Sequence, residues 1–276
     1  MTMASDIAGK SVVVTGAGTG IGRGVAIKFA EYGANVALHY SHSDTGARSA
    51  VEEIEAIGRK TIALQADFNE VDEVYKLAQE AEKFLGQIDI LINNSGITTN
   101  IPFTEVTPNQ FDTLFNVNMK AMYFMTQAVV KGMIKRGKGA VINLTSVHAN
   151  GAMSEHSLYA GTKGAIQSYT RTTAVELAPL GVRMNAIAPG WIVVENHYKA
   201  LGDIDLNAAA QAIPAGFVGT PEDVGELAIF LASNASRYVV GQTYTIDGGQ
   251  MSNMYETGSF SQPRKDKFGK GYVDGV

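Results

Sequence analysis

The chain contains no cysteine, which excludes disulfide bonds and metal sites built on thiolates. Its 5 histidines include no pair at a zinc-binding spacing, so we expect no metal centre. No apolar run approaches the ~20 residues that a membrane-spanning helix needs. The N-terminus also lacks a basic region followed by an apolar core, as a secretory signal would have. We therefore expect a soluble, cytoplasmic protein that does not interact with membranes.

Positive charge is also scarce. Lysine and arginine number 22 against 27 aspartates and glutamates, for a formal net charge of -5. The most basic stretch, 131–138, has the character of a solvated helix end. A phosphate backbone needs a basic surface, so nucleic acid is not an expected partner.

Apolar strand-like runs alternate with helical patterns along most of the 276 residues. The runs lie at 12–15, 36–40, 61–64, 88–92, 140–144, 182–188 and 243–246. Such alternation is typical of βαβ units and predicts an α/β fold, doubly wound, with a seven-stranded parallel sheet and helices on both faces. We see no linker before residue 249. We predict one dinucleotide-binding and catalytic domain over 1–249 and a C-terminal extension over 250–276.

A phenol and an ammonium stand on one face of a predicted helix, at Tyr159 and Lys163. A free tyrosine has a pKa near ~10, too high for acid/base work at neutral pH. A cation close to the ring stabilises the phenolate, so we expect Lys163 to lower the pKa of Tyr159. Taken alone, this pair is more often an ordinary aromatic and a solvated lysine.

Glycines follow the first predicted strand, at Gly16, Gly20 and Gly22, and a helical pattern runs from about Arg23 to Tyr32. Strand, glycine turn and helix is the layout of a dinucleotide site, where the helix N-terminus faces the pyrophosphate. The glycines do not have the usual Gly-x-Gly-x-x-Gly spacing. The alternative interpretation is a tight strand-to-helix connection without a ligand.

Polar residues stand near other strand ends. Ser146 follows the fifth strand, at the edge where open α/β sheets bind ligands. Its neighbour Thr145 should point to the opposite face. Asn118 lies within a predicted helix over 110–133, where by itself it would be a surface residue.

These motifs together resemble those of the short-chain dehydrogenase/reductase family, with a Rossmann-type fold. The matching positions are Thr15, Gly16, Gly20, Gly22, Asn93, Asn94, Gly96, Asn118, Ser146, Tyr159, Lys163, Pro189 and Gly190. The resemblance implies an NAD(P)-dependent oxidoreductase acting on CH–OH groups. It assigns Tyr159 as acid/base, Ser146 as the hydroxyl that binds the substrate oxygen, and Asn118 as the asparagine that holds a water next to Lys163. It also implies a homotetramer, through helices matching 110–133 and 158–178.

The resemblance gives a set of cofactor-binding residues. They are Gly16, Thr19, Gly20, Ile21, Gly22, Tyr40, Ser41, Asp67, Phe68, Asn94, Gly96, Tyr159, Lys163, Pro189, Gly190 and Ile192. Asp67 resembles the family's adenine-binding aspartate, with a helix cap as its alternative role. Relatives commonly have a threonine where this chain has Val194, so we expect the backbone of Ile192 to contact the nicotinamide.

The choice between NAD and NADP depends on the turn after the second strand. Residues 39–43 carry hydroxyls and two imidazoles but no carboxylate, so a 2′-phosphate is permitted and NAD is not strongly selected. The arginine of many NADP-using relatives is missing, since Thr19 and Ser41 occupy those positions. We expect NADP to be favoured slightly over NAD, with use of both.

Within the family the chain most resembles glucose 1-dehydrogenase-like sugar dehydrogenases. A substrate lid is expected over about 191–215. The predicted substrate contacts are Ser146, His148, Tyr159, Trp191, Glu195 and Asn196, with Glu155 and His197 as further polar candidates. A polyhydroxylated substrate needs such partners on several sides. We thus predict hydride transfer to or from a sugar or polyol.

Alternatives remain open. The motifs also resemble 3-oxoacyl-thioester reductases and reductases of other small ketones. Thioesters on an acidic carrier favour a basic mouth, and Lys199 is the basic residue near the start of the lid. A dinucleotide-binding regulator without chemistry is the non-enzymatic alternative.

The C-terminal extension replaces periodic apolar residues with glycine, serine and a charge cluster. Such composition is typical of a disordered tail. It nevertheless contains interleaved large residues, namely Met251, Met254, Tyr255, Phe260, Phe268 and Tyr272. We hypothesise that it packs across a partner subunit or the mouth of the site.

Overall fold

A computed structural model describes residues 3–195, 197–198 and 202–252. Seven strands form one sheet in the order β3-β2-β1-β4-β5-β6-β7, and every adjacent pair is parallel. The strands are β1 Ser11–Val14, β2 Asn35–Tyr40, β3 Thr61–Gln65, β4 Ile90–Asn93, β5 Gly139–Leu144, β6 Val182–Pro189 and β7 Thr243–Ile246. The predicted doubly wound, seven-stranded fold is confirmed.

Helices connect the strands and cover both faces of the sheet. The helices are α1 Met3–Ile7, α2 Gly20–Glu31, α3 Asp44–Ala56, α4 Val71–Leu85, α5 Pro108–Phe115, α6 Ala121–Arg136, α7 Ser157–Leu177, α8 Leu206–Ala210 and α9 Pro221–Ala232. The helix predicted over 110–133 is divided, since a π-helical turn, Asn116–Lys120, separates α5 from α6. Short 3₁₀ turns lie at Phe103–Glu105, Val147–Ala149, Ala178–Leu180, Asn234–Ser236 and Gln250–Ser252.

The core has two layers because successive strand residues point to opposite faces of the sheet. Val12 and Val14 of β1 pack with α2 and α9, and this layer includes Phe29 and Ile229. Val13 packs in the other layer, with residues of α4 and α6. The five inner strands are buried on both sides, as is typical of a parallel sheet, whereas the edge strands β3 and β7 are partly exposed.

The carboxyl ends of the strands share one edge, and the predicted site residues follow those ends. Asn94 follows β4, Ser146 follows the end of β5, and Gly190 follows β6. This edge is where open α/β sheets bind ligands. A cavity of about 430 Å³ lies at the opposite edge, where Lys10, Asp89 and Lys138 are among its lining residues.

Candidate active site

The glycine turn between β1 and α2 fits closely against the end of β4. Gly16 has φ +64, and a Cβ atom there would stand 2.9 Å from the Cα atom of Ser95. A Cβ atom at Gly22 would stand 2.3 Å from the Gly16 carbonyl oxygen. Larger residues would therefore push the turn away from the sheet.

Thr15 and Asn94 hold that turn in place. The side-chain amide of Asn94 donates to the carbonyl oxygens of Thr15 and Gly16, each at 3.0 Å. The Thr15 hydroxyl oxygen accepts from the backbone N–H groups of Asn94 and Ser95, also at 3.0 Å. The sequence identified Thr15 through the motif, but its role as the link between β1 and β4 depends on their pairing.

His39 is a structural residue and is not available to a phosphate, contrary to the expectation for the 39–43 turn. Its imidazole is 2% exposed and stacks on Phe68 at 4.0 Å between ring centroids. Its Nδ1 atom accepts from Gly16 N–H at 3.1 Å, so the proton is on Nε2, 3.1 Å from the Ala66 carbonyl. Burial lowers the pKa of His39 to about 4, although the Ala66 hydrogen bond opposes this.

The turn after β2 is also less favourable for binding a 2′-phosphate than its sequence indicates. Asp44 begins α3, and its carboxylate accepts from the Tyr40 hydroxyl at 2.9 Å and from Arg48 Nε at 2.8 Å. The expectation of no carboxylate here is corrected: a carboxylate and a guanidinium both lie beside Tyr40. The Ser41 carbonyl accepts from Gln65 Nε2 at 3.0 Å.

Asp67 and Phe68, two predicted cofactor-binding residues, have structural contacts of their own. The Phe68 ring is buried against His39, so it cannot also stack on an adenine without repacking. Asp67 Oδ1 accepts from the backbone and side-chain nitrogens of Asn69, at 2.9 and 3.0 Å. Asp67 does not cap α4, because the residue before that helix is Glu70.

The end of β5 and helix α7 bring three of the predicted catalytic residues together. The Ser146 hydroxyl is a neighbour of the Tyr159 phenol, where it acts to lower the pKa of the phenol. The Ser146 Oγ atom accepts from His148 N–H at 3.2 Å. Lys163 donates from Nζ to the Leu144 carbonyl at 3.0 Å and lies 5.4 Å from the centroid of the Tyr159 ring. The Thr145 hydroxyl instead donates to the Lys163 carbonyl at 2.8 Å, which leaves Ser146 as the hydroxyl at the phenol.

The ionisation of this group differs from the expectation that Lys163 lowers the pKa of Tyr159. Burial raises the pKa of Tyr159, and the hydrogen bond with Ser146 only partly opposes this. Burial also lowers the pKa of Lys163 to about 8. Both groups lose their hydration, and desolvation disfavours the phenolate and the ammonium alike.

Asn118 is fully buried in the π-helical turn between α5 and α6. Its side chain accepts from Ile97 N–H at 2.8 Å and donates to the Ile97 carbonyl at 2.9 Å and to the Thr162 hydroxyl at 3.1 Å. A Cβ atom at Gly96 would meet both Lys163 Nζ, at 3.4 Å, and Asn118 Oδ1, at 3.5 Å. The irregular turn thus places Asn118 beside Lys163, as π-turns often do at functional sites.

Two histidines flank the phenol, of which the sequence singled out only His148. The rings of His148 and His156 stack at 5.0 Å, with 12° between their planes. Both meet Tyr159 edge to face, with ring centroids at 5.8 and 6.2 Å. Glu155 has φ 65, a conformation that L-residues seldom adopt, and it directly precedes His156. The signal in the sequence that could have identified His156 is its spacing, since it directly precedes α7 and is three positions before Tyr159.

The segment after β6 crosses the glycine turn. Ile192 is 5% exposed and pairs with Gly219 in a parallel bridge, and a Cβ atom at Gly190 would clash with Asp247 at 2.5 Å. Glu195, a predicted substrate contact, instead has its carboxylate on the turn, where Gly20 N–H donates to it at 3.0 Å. The predicted contact Asn196 and the basic residue Lys199 lie outside the described residues.

The described residues fit a nicotinamide dinucleotide. The close approach that Gly16 and Gly22 permit brings the N-terminus of α2, which begins at Gly20, to the position where a pyrophosphate would bind. In this structure the Glu195 carboxylate accepts from Gly20 N–H at that position. The Lys163 ammonium lies next to Gly96, after β4, and 5.4 Å from the centroid of the Tyr159 ring. Within the described ranges, no helix has the length and apolar character of a membrane span, and no group of three or more His, Asp or Glu side chains is arranged to bind a metal.

The chain is similar over most of its length to known dehydrogenases and reductases. A family model described as enoyl-(acyl carrier protein) reductase matches residues 16–251. L-rhamnose 1-dehydrogenase (NAD(P)⁺) of Sphingomonas sp. is 36% identical over 248 residues, covering 89% of this chain and 98% of that protein. The 3-oxoacyl-[acyl-carrier-protein] reductase of Staphylococcus epidermidis is 37% identical over 240 residues, covering 87% and 98%. The crystal structure of a 7α-hydroxysteroid dehydrogenase with NADH and a 7-oxo bile acid superposes with a TM-score of 0.84 at 31% identity, covering 90% of this chain and 98% of that one.

Proposed function

Because the chain belongs to the short-chain dehydrogenase/reductase family, we propose that it transfers a hydride between a nicotinamide cofactor and a sugar or polyol. It is an NAD(P)-dependent oxidoreductase acting on alcohol and ketone groups, as its relatives are. The non-enzymatic alternative therefore has no support from the comparisons. What we propose beyond the family is the substrate class and the role of each residue.

In the proposed reaction, the substrate oxygen lies between the Ser146 hydroxyl and the Tyr159 phenol, which are neighbours in the structure. Ser146 orients the oxygen, and Tyr159 removes its proton in oxidation or supplies one in reduction. A bound nicotinamide provides the hydride acceptor or donor. Lys163 binds the nicotinamide ribose, and Asn118 holds a water next to it, as the family resemblance implies.

For cofactor binding, we propose that the glycine turn and the N-terminus of α2 hold the pyrophosphate. The remaining cofactor contacts are proposed at Ile21, Tyr40, Ser41, Asp67, Phe68, Asn94, Gly96, Pro189, Gly190 and Ile192. Because Phe68 is packed against His39, its contribution would come from the backbone. Tyr40 and Ser41 would face the ribose that carries a 2′-phosphate in NADP.

The observation that carries the sugar assignment is the imidazole pair beside the acid/base. His148 is half-buried, stacks on His156 and meets the Tyr159 ring. Burial, and then the neighbouring His156, lowers the pKa of His148, so the ring is neutral near pH 7 and both donates and accepts hydrogen bonds. Such a group suits a hydroxyl adjacent to the reacting carbon, as in an aldose or polyol. The L-rhamnose 1-dehydrogenase similarity supports the same class, whereas the glucose 1-dehydrogenase likeness is a prediction from motifs alone.

The test is a substrate panel. Absorbance at 340 nm is followed with NAD and NADP separately, against aldoses and polyols at mildly alkaline pH. We expect reduction of cofactor by at least one aldose or polyol. If no aldose or polyol of the panel were oxidised while a 3-oxoacyl thioester was reduced rapidly, the sugar proposal would be refuted.

Reduction of a 3-oxoacyl thioester or another small ketone is the second candidate. It is favoured by the 37% identity with the staphylococcal 3-oxoacyl-[acyl-carrier-protein] reductase. The same Ser146 and Tyr159 would serve, with the phenol donating a proton to the carbonyl oxygen. Oxidation of NADPH by an acetoacetyl thioester, compared with the sugar panel, separates the two candidates.

We also propose that the protein is a cytoplasmic homotetramer. The helices expected at the interfaces carry exposed large apolar residues, with Phe111 at 47%, Tyr123 at 44% and Val175 at 69% exposure. Apolar side chains of this size on neighbouring helices are typical of surfaces buried by association. Light scattering after gel filtration gives the mass directly, and a monomer would contradict this proposal.

A further inference from the structure

Glu195 caps a helix from a distant part of the chain. Its Oε2 atom accepts from Gly20 N–H at 3.0 Å and from the Thr19 hydroxyl at 3.1 Å. Thr19 is the residue before α2, yet its own side chain makes no capping hydrogen bond. The carboxylate of Glu195 thus accepts from a backbone N–H of the first turn of α2, a role that is usually filled by the residue before the helix.

The Glu195 carboxylate is ionised at neutral pH. Partial burial acts to raise its pKa, but its own N–H, Gly20 N–H, the Thr19 hydroxyl and the charge of Arg23 together lower it. A helix N-terminus favours an anion for the same reason. An ionised group of this kind is a chemical stand-in for a phosphate oxygen.

We propose that the Glu195 carboxylate competes with the cofactor pyrophosphate for the N-terminus of α2, so that each dinucleotide must displace Glu195 to bind. This inference rests on the proposed function, since it takes the glycine turn as the pyrophosphate site. Two anions cannot share the Gly20 N–H, and their repulsion at contact distance opposes joint occupancy. The contact lowers cofactor affinity and assists cofactor release.

The chain before Glu195 is built so that the displacement is local. Val193 N–H donates to the Gly219 carbonyl at 2.9 Å, and Gly219 N–H donates to the Trp191 carbonyl at 3.2 Å. These bonds fix the segment up to Val193. Val194 follows and faces Gly20, where a Cβ atom would stand 3.4 Å from Val194 Cγ1. Glu195 therefore lies just beyond the part of the segment that these bonds hold.

The experiment compares the wild-type protein with Glu195→Gln, which removes the charge and keeps the shape. We expect Glu195→Gln to bind ADP-ribose about five- to tenfold more tightly in calorimetry, because the competing anion is gone. Adenosine, which lacks the pyrophosphate, should bind both proteins equally.

Glu222→Gln is the matched control, since Glu222 is an exposed glutamate in the first turn of α9 and its loss changes net charge equally. It should bind ADP-ribose as the wild type does. Unchanged or weaker ADP-ribose binding by Glu195→Gln would overturn the inference while leaving the proposed function intact. Equal tightening for ADP-ribose and adenosine would also overturn it. Absence of dinucleotide binding by the wild type would overturn both.

Discussion

The Nδ1 atom of His39 accepts a hydrogen bond from the backbone N–H of Gly16, 3.1 Å away. This contact joins the end of β2 to the glycine turn, and the other ring nitrogen lies 3.1 Å from the Ala66 carbonyl after β3. A protonated ring would lose the acceptor that Gly16 needs. The shape of the turn therefore depends on a neutral histidine.

The first prediction follows from the pKa of His39, which burial lowers from 6.5 to about 4. Between these values the unfolded chain binds the proton and the folded chain does not, so stability falls as pH falls from 6.5 toward 4. The full loss is roughly 3 kcal/mol. His39→Gln removes this titration. Urea denaturation at pH 7 and pH 5 should show a smaller pH dependence in the variant, and equal dependence in the two proteins would contradict the assignment.

The fold was predictable because burial on both faces gives parallel strands long apolar runs. The predicted strand at 88–92 begins two residues too early, since Ile88 and Asp89 precede β4 at Ile90. The helix predicted from Arg23 begins at Gly20. Gly20 and Gly22 were interpreted as part of the turn but lie in the first turn of α2. Gly24, within the predicted helix, allows α2 and α9 to pack closely, since a Cβ atom there would stand 2.3 Å from Pro221 Cβ.

The candidate site was predictable where a motif fixes a residue's position, as for Ser146, Tyr159 and Lys163. It was not predictable where the role depends on a neighbouring strand or loop. His39 is structural only because β3 brings Phe68 and Ala66 beside it. The direction of the Tyr159 pKa likewise depends on how deeply α7 buries it, which spacing does not reveal.

Tyr159→Phe tests the acid/base assignment. It removes the phenol hydroxyl, the group proposed to exchange the proton, and keeps the ring that meets His148. We expect kcat to fall about a hundred- to ten-thousand-fold, the usual contribution of a positioned acid/base. Binding of NADH or NADPH, followed by fluorescence, should change less than about twofold, since only a ring hydroxyl is lost. Substantial residual turnover would show that another group exchanges the proton.

His156 is expected to act on the substrate through His148. Its Nδ1 atom lies 3.0 Å from the Ser154 carbonyl, and its ring supports that of His148 by stacking. Loss of such an aromatic contact costs about 0.5–1.5 kcal/mol. His156→Ala should therefore raise KM about three- to tenfold for the substrate that the panel identifies, with a smaller change in kcat.

His156→Phe is the comparison variant. Because it preserves the stacking surface, its KM should stay close to that of the wild-type protein. The double variant with His148→Phe should be less than additive, as expected for residues in contact. If His156→Ala lowered kcat and left KM unchanged, His156 would be acting on Tyr159 instead.

Asp44 is predicted to limit the use of NADP. Its carboxylate lies beside Tyr40, and its pKa is lowered first by the hydrogen bond from Arg48 and then by that from Tyr40, so it is ionised. Asp44→Asn removes a negative charge near the proposed 2′-phosphate position and frees Arg48. The ratio of kcat/KM for NADP to that for NAD should rise about threefold or more at low salt, and the gain should shrink as salt screens it. Arg48→Gln should change the ratio in the opposite direction.

The start of the C-terminal extension contacts the loop that carries His148, which gives the tail hypothesis a test within the described residues. A Cβ atom at Gly151 would stand 2.7 Å from the Met251 Cε atom. The side chain of Gln250 accepts from Trp191 N–H at 3.3 Å. Residues 253–276, which include the other large residues of the extension, lie outside the described part of the chain.

Two truncations separate these contributions. Ending the chain after Gly249 removes both contacts, so KM for the substrate should rise about three- to tenfold, in keeping with the loss of one packed side chain and one hydrogen bond. Ending it after Ser252 retains both contacts. If the protein that ends after Ser252 keeps the wild-type mass in light scattering and the wild-type KM, the rise in KM of the shorter protein is due to the loss of Gln250 and Met251. If the two products behaved alike and both lost assembly, residues beyond 252 would be acting at a subunit interface, as hypothesised from their aromatic content.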